Sequence, residues 1–142
     1  MEYIQRALAQ AITEKKDILF RRYNSLKREI IEHCEIPLVK GFIIAEEDDD
    51  LLRIKFPDLK YGVYARSRIA FNTELQAGLR INFFDYQDEW VMGLLLHPNG
   101  YFVIEPKNGG PYAPYEHDDE RLPLVIIHAL LTNAHESGEI SL

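Results

Sequence analysis

The sequence predicts an α+β fold: a long N-terminal amphipathic helix, an antiparallel β-meander of about five to six strands, and a C-terminal helix packed on the sheet. Three observations carry this. The first 35 residues contain neither Gly nor Pro. Between positions 38 and 105, short apolar or alternating segments are separated by turn residues. The last apolar stretch, LPLVIIHALLTNAHE (122–136), has the length and composition of a helix.

At about 100° per residue, Leu8, Ile12, Leu19, Tyr23, Leu26 and Ile30 fall within roughly 60° of one another, with Ile4 and Ala11 at the edge of the stripe. The phase holds across Asn24-Ser25, so one helix from about Glu2 to His33 is expected. Pro37 stops it by biasing Ile36 towards extended backbone. LVKGFIIA (38–45) is an almost continuous apolar run, as expected of a central strand. EEDDD (46–50) is too charged to bury and reads as a turn. LLRIKF (51–56) alternates, with Leu52, Ile54 and Phe56 on one face and Arg53 and Lys55 on the other. Pro57-Asp58 turns the chain into KYGVYA (60–65). Residues 66–78 fit either a strand or a short helix, and LRINFFD (79–85) alternates again. WVMGLLL (90–96) and YFVIE (101–105) flank His97-Pro98-Asn99-Gly100, a hairpin signal. The final helix is expected to be capped by Asp118 or Asp119. No repeat or linker divides the chain, so residues 1–142 read as one domain.

The net charge of −7 disfavours a general nucleic-acid binder, because phosphate binding depends on Lys and Arg. Residues 1–35 carry seven basic against six acidic residues, so the acidity lies in the remainder. Cys34 is the only cysteine, which rules out an internal disulfide and makes a reducing compartment the simplest reading. The N-terminus lacks a signal-peptide core and no apolar run is long enough to cross a bilayer. A cytoplasmic location is expected.

Catalytic signatures are mostly absent, among them G-x-S-x-G, the P-loop, G-x-G-x-x-G, H-E-x-x-H and C-x-x-C. The best enzymatic hint is Glu105-Pro106-Lys107, an E-x-K triplet with Asp85 or Asp88 upstream. In a nuclease or phosphodiesterase, two such acids hold a divalent metal and the Lys stabilises developing charge. Against an Asp88, Glu105, Lys107 set stand the Pro inside what would be the metal-binding strand and the acidic surroundings. Cys34, beside the apolar stripe, reads as a small core residue. His128 and His135 would lie about 10 Å apart on a helix, too far to share a metal. His117-Asp118-Asp119-Glu120 is better explained by helix capping, and EEDDD lacks calcium-loop spacing. No metal or cofactor is therefore expected.

Partner contacts are expected elsewhere. The long loop KNGGPYAPYEHDDE (107–120) offers Tyr112, Tyr115 and His117 to a ligand or partner, or folds its tyrosines back as a lid. Lys15 and Arg22 lie at the margin of the apolar stripe, placed either to snorkel or to pair with a carboxylate. A helix of some 32 residues is about 48 Å long. A domain of this size is about 37 Å across. Part of the stripe then extends past its own sheet. A homodimer through the helix is the economical cover. The expected function is that of a small acidic binding protein without catalytic activity, of adaptor, inhibitor, immunity or chaperone type, docking another protein. The metal-dependent enzyme is the alternative.

Overall fold

The computed structural model describes residues 2–74 and 76–140; the side chain of Ala11, placed by sequence at the edge of the stripe, lies outside the described ones. Helix α1 (Glu2–Cys34) is followed by seven strands and a second helix. The strands are β1 (Ile44–Asp48), β2 (Leu51–Phe56), β3 (Tyr61–Phe71), β4 (Ala77–Asp85), β5 (Trp90–Leu96), β6 (Tyr101–Pro106) and β7 (Tyr115–Glu116). Helix α2 (Leu122–Glu136) closes the order. The sheet is a continuous antiparallel meander in which every strand pairs with its sequence neighbours. The predicted class is borne out, with seven strands rather than five or six.

Alternation sets which face is buried. Leu52, Ile54, Val63, Ala65, Ile81, Phe83, Leu94 and Ile104 point into the core, beneath the two helices. Helix α1 rests on β1 and β4, α2 rests on β5 and β6, and the helices touch each other. Leu19, Tyr23, Leu26, Ile30 and Cys34 seal α1 to the sheet. Burying an aliphatic side chain of this size contributes about 1.5–3 kcal/mol, so this half of the helix is firmly held.

Several expectations are corrected. The run 38–45 is not a central strand. Residues 36–43 wind through tight turns, with Val39 and Lys40 donating to the Ile36 carbonyl at 2.9 Å each. Gly41, at φ 92°, breaks the extended path, and only Ile44 and Ala45 enter β1, at the edge of the sheet. Glu46, Glu47 and Asp48 belong to that strand, because an edge strand leaves charged side chains in water. The turn is made by Asp49 and Asp50, both left-handed. The ambiguous segment 66–78 is mostly strand. Its turn is drawn tight by Asn72, whose Oδ1 accepts from the Glu74 and Gln76 amides at 2.9 Å each.

Helix α2 has Arg121 at its N-cap, with no side-chain cap from Asp118 or Asp119. Asp119 instead accepts the Arg121 amide at 2.9 Å and its guanidinium at 2.8 Å. Pro123 in the first turn removes a donor that a cap would have served.

Candidate functional site

Buried positions divide α1 sharply. No described side chain from Glu2 to Ile18 is buried, whereas six between Leu19 and Cys34 are. A projecting segment of 17 residues is about 25 Å long. Leu8 and Ile12 lie on the same meridian as Tyr23, Leu26 and Ile30, so the apolar stripe continues onto the projecting half. Tyr3 is 82 % exposed, and Ile4 and Ile18 are exposed as well.

Lys15 and Arg22 are half-buried, and among the described residues no carboxylate lies within 4.0 Å of either. The guanidinium of Arg22 packs against Gly100 and the His117 ring, where an added methyl on Gly100 would sit 3.0 Å from Nη1. The stripe's buried cation is Lys27. It is 4 % exposed, its Nζ lies 4.8 Å from the centre of the Tyr23 ring, and it meets Glu47 Oε2 at 3.3 Å. That pair fastens the edge strand β1 to α1. Burial, reinforced by the charge of Glu47, holds the Tyr23 hydroxyl far above its ordinary range.

The 107–120 loop folds back. Tyr112 and Tyr115 pack half-buried against the core, the Tyr112 amide donates to the Ile104 carbonyl at 2.9 Å, and Tyr115 pairs with Phe102 in β7. His117 donates its amide to the Gly100 carbonyl at 3.0 Å, with its ring Nδ1 3.1 Å from the same oxygen.

Asp88, Glu105 and Lys107 each have other partners. Asp88, left-handed in the β4–β5 turn, accepts the Tyr64 hydroxyl. Glu105 pairs with Arg80 at 3.0 Å across Gly93, whose missing side chain leaves them room. The Lys107 amide donates to Asn133 Oδ1 at 3.2 Å.

Three groupings were not read from the sequence. The first is the loop Ile36, Leu38, Phe42 and Ile44, exposed at the other end of α1, with Leu38 at 88 %. Its apolar composition was the signal, and the glycine within it was the clue against a buried strand. The second is the solvent face of the sheet, which gathers Arg53, Lys55, Arg66, Arg68 and Arg80 around Tyr64, Phe84 and Trp90. Asp48, Glu46 and Glu105 neutralise three of these cations, at 3.4, 2.9 and 3.0 Å. That leaves Arg66 and Arg68, too little net charge for a phosphate-binding platform. The third is a carboxylate group, Asp85, Glu89 and Glu139, brought together at one end of the sheet.

Among the described residues, no helix is long and apolar enough to cross a membrane. No protein-family model, curated protein or solved structure matches this chain.

Proposed function

We propose that this chain is a binding protein without catalytic activity, which associates through the projecting half of α1 with a second copy of itself. The observation that carries the reading is that none of the described side chains from Glu2 to Ile18 is buried, although the apolar stripe continues there through Leu8 and Ile12. Ile4 and Ile18 are exposed and Leu8 and Ile12 only half-buried, and an apolar helix face left short of full burial over several turns is usually covered by a partner.

Charge favours a second copy as that partner. Residues 2–18 hold three basic residues (Arg6, Lys15, Lys16) and three acidic ones (Glu2, Glu14, Asp17), so the segment is neutral while the rest of the chain carries the full −7. Two acidic bodies can therefore meet through neutral helices. In an antiparallel pair centred on the level of Gln10, Leu8 of each copy faces Ile12 of the other. The sheet edges offer little competition. Strand β1 carries three consecutive acids and β7 is two residues long, both features that discourage strand pairing.

Sedimentation equilibrium on the full chain tests the reading. A two-fold dimer in the micromolar range is expected, converted to a folded monomer by Leu8→Glu with Ile12→Glu. A strict monomer at high concentration overturns the assignment. So does a dimer that survives the helix variant and dissociates with Leu38→Asp and Phe42→Asp.

A further inference from the structure

At the end of the sheet remote from the β3–β4 turn, the start of β3, the end of β4, the β4–β5 turn and the tail after α2 enclose a cavity of about 260 Å³. Two carboxylates line it, buried Asp85 and exposed Glu139, and exposed Glu89 joins them, each of the three offering an oxygen within 4.8 Å of the others. Local geometry holds them. Asp85 Oδ1 accepts the Gln87 and Glu89 amides at 2.8 and 3.0 Å, leaving Oδ2 without a backbone donor. Gly138, left-handed at φ 77°, reverses the chain after α2. The Glu139 amide then returns to the Ala134 carbonyl at 2.9 Å, and Ile140 is buried beside it.

A second observation is independent of the acids. Tyr61 lines the same cavity, is only 7 % exposed, stacks on Phe56, and has a buried hydroxyl with no hydrogen-bond partner. A buried hydroxyl without a partner is destabilising, because it has given up its hydrogen bonds to water without replacing them. Its oxygen has lone pairs free for a cation or for a water bound to one. Tyr86 covers the opening by lying against Gly62, where even a methyl group would collide with its ring.

We propose that Asp85, Glu89, Glu139 and the Tyr61 hydroxyl bind one hard divalent cation of calcium size, fastening the C-terminal tail to the β4–β5 turn. Calcium takes oxygen ligands at about 2.3–2.6 Å, so ligands on opposite sides of the ion lie about 4.6–5.2 Å apart; magnesium needs about 4.0–4.2 Å in strict octahedral order. The three oxygens all lie within 4.8 Å of one another, inside the calcium span, and three carboxylates exceed the one or two that usually hold magnesium. The cavity has room for the waters that complete its shell.

Without the ion, burial and then the adjacent Asp85 carboxylate raise the Glu139 carboxyl above its ordinary value of 4.5. Glu89 adds to this rise and Lys107 opposes it. Lys60 also lines the cavity, as a cation that an incoming ion must face.

The test is calorimetric titration of calcium chloride into the chelator-treated full chain at pH 8, with thermal melts in calcium and in EDTA. One site is expected, weaker for magnesium, and raising Tm by about 5–10 °C at a concentration about 100 times Kd. Glu139→Gln and Glu89→Gln, both at exposed positions, should each weaken binding at least tenfold with the far-ultraviolet circular dichroism unchanged. Tyr61→Phe should weaken binding in calcium, yet leave Tm in EDTA equal or higher, since it removes a hydroxyl that has no partner. Absence of heat and of any Tm shift at 10 mM calcium, about tenfold above the weak limit of about 1 mM for extracellular modules, overturns the proposal. So does binding that is intact in both glutamine variants.

Discussion

Replacing Glu47 by Gln isolates what Lys27, the one deeply buried cation among the described residues, needs. Lys27 is 5 % exposed along its side chain and Glu47 41 %, with Nζ and Oε2 3.3 Å apart. With an effective dielectric of about 20, the gross attraction at that distance is about 5 kcal/mol. Desolvating Lys27 offsets several kcal/mol of this, and the exposure of Glu47 screens it further. Glu47→Gln keeps the shape and removes the charge, leaving an ammonium against the Tyr23 ring with only a neutral amide for partner. We expect a loss of about 2 kcal/mol, below the 3–5 kcal/mol typical of a fully buried pair. The unfolding entropy for a chain of this length is about 0.3 kcal/mol/K, so Tm falls by about 7 °C. Lys27→Met, an apolar replacement of similar volume, should stay within about 1 kcal/mol of the parent. The double variant should match Lys27→Met alone. Urea melts at fixed pH and salt read all three. If Lys27→Met costs more than Glu47→Gln, the hydrocarbon stem and not the charge pair holds β1 to α1, and the reasoning fails.

Other outcomes follow from single positions. Gly78→Ala places a methyl 2.8 Å from the Leu96 carbonyl oxygen, a backbone atom that cannot swing aside, and should cost about 1–3 kcal/mol in a denaturant melt. Asn133, 2 % exposed, accepts the Lys107 amide and donates to the Ala129 carbonyl; Asn133→Leu should destabilise by about 2 kcal/mol, seen as a fall in Tm of about 7 °C. The Arg121 side chain beside Asp119, aided by the Arg121 amide, holds that carboxyl down to about 2. Its contribution to stability is present above the ordinary 3.8 and lost as pH falls through about 2. A carbon-detected NMR titration should place the Asp119 midpoint there, and Arg121→Gln should move it back towards 3.8.

Much of the architecture was legible along the chain because it rests on local periodicity. The stripe from Leu8 to Ile30, the alternation in LLRIKF and LRINFFD, and the HPNG turn each lie within one element or one hairpin. Each needs only the 3.6-residue or two-residue repeat to be read. The length of α1 relative to the body followed the same way, from rise per residue and chain length.

Tertiary structure decided what periodicity cannot reach. An apolar run such as LVKGFIIA is ambiguous on its own, since whether a strand is central or at an edge depends on what pairs with it. Here Gly41 and the turns before it leave Leu38 and Phe42 in solvent. Nothing in the sequence around Lys27 pairs it with Glu47, twenty residues on; only the packing of the edge strand β1 against α1 brings the two together. Asp85 and Glu139 stand far apart in sequence, and neither carries a motif. They meet only because the β4–β5 turn and the reversal at Gly138 end at the same edge of the sheet, with Tyr61 beneath them. Composition and periodicity thus determined the elements and the overhanging helix, whereas the carboxylate cluster and the buried ion pair arose from long-range packing.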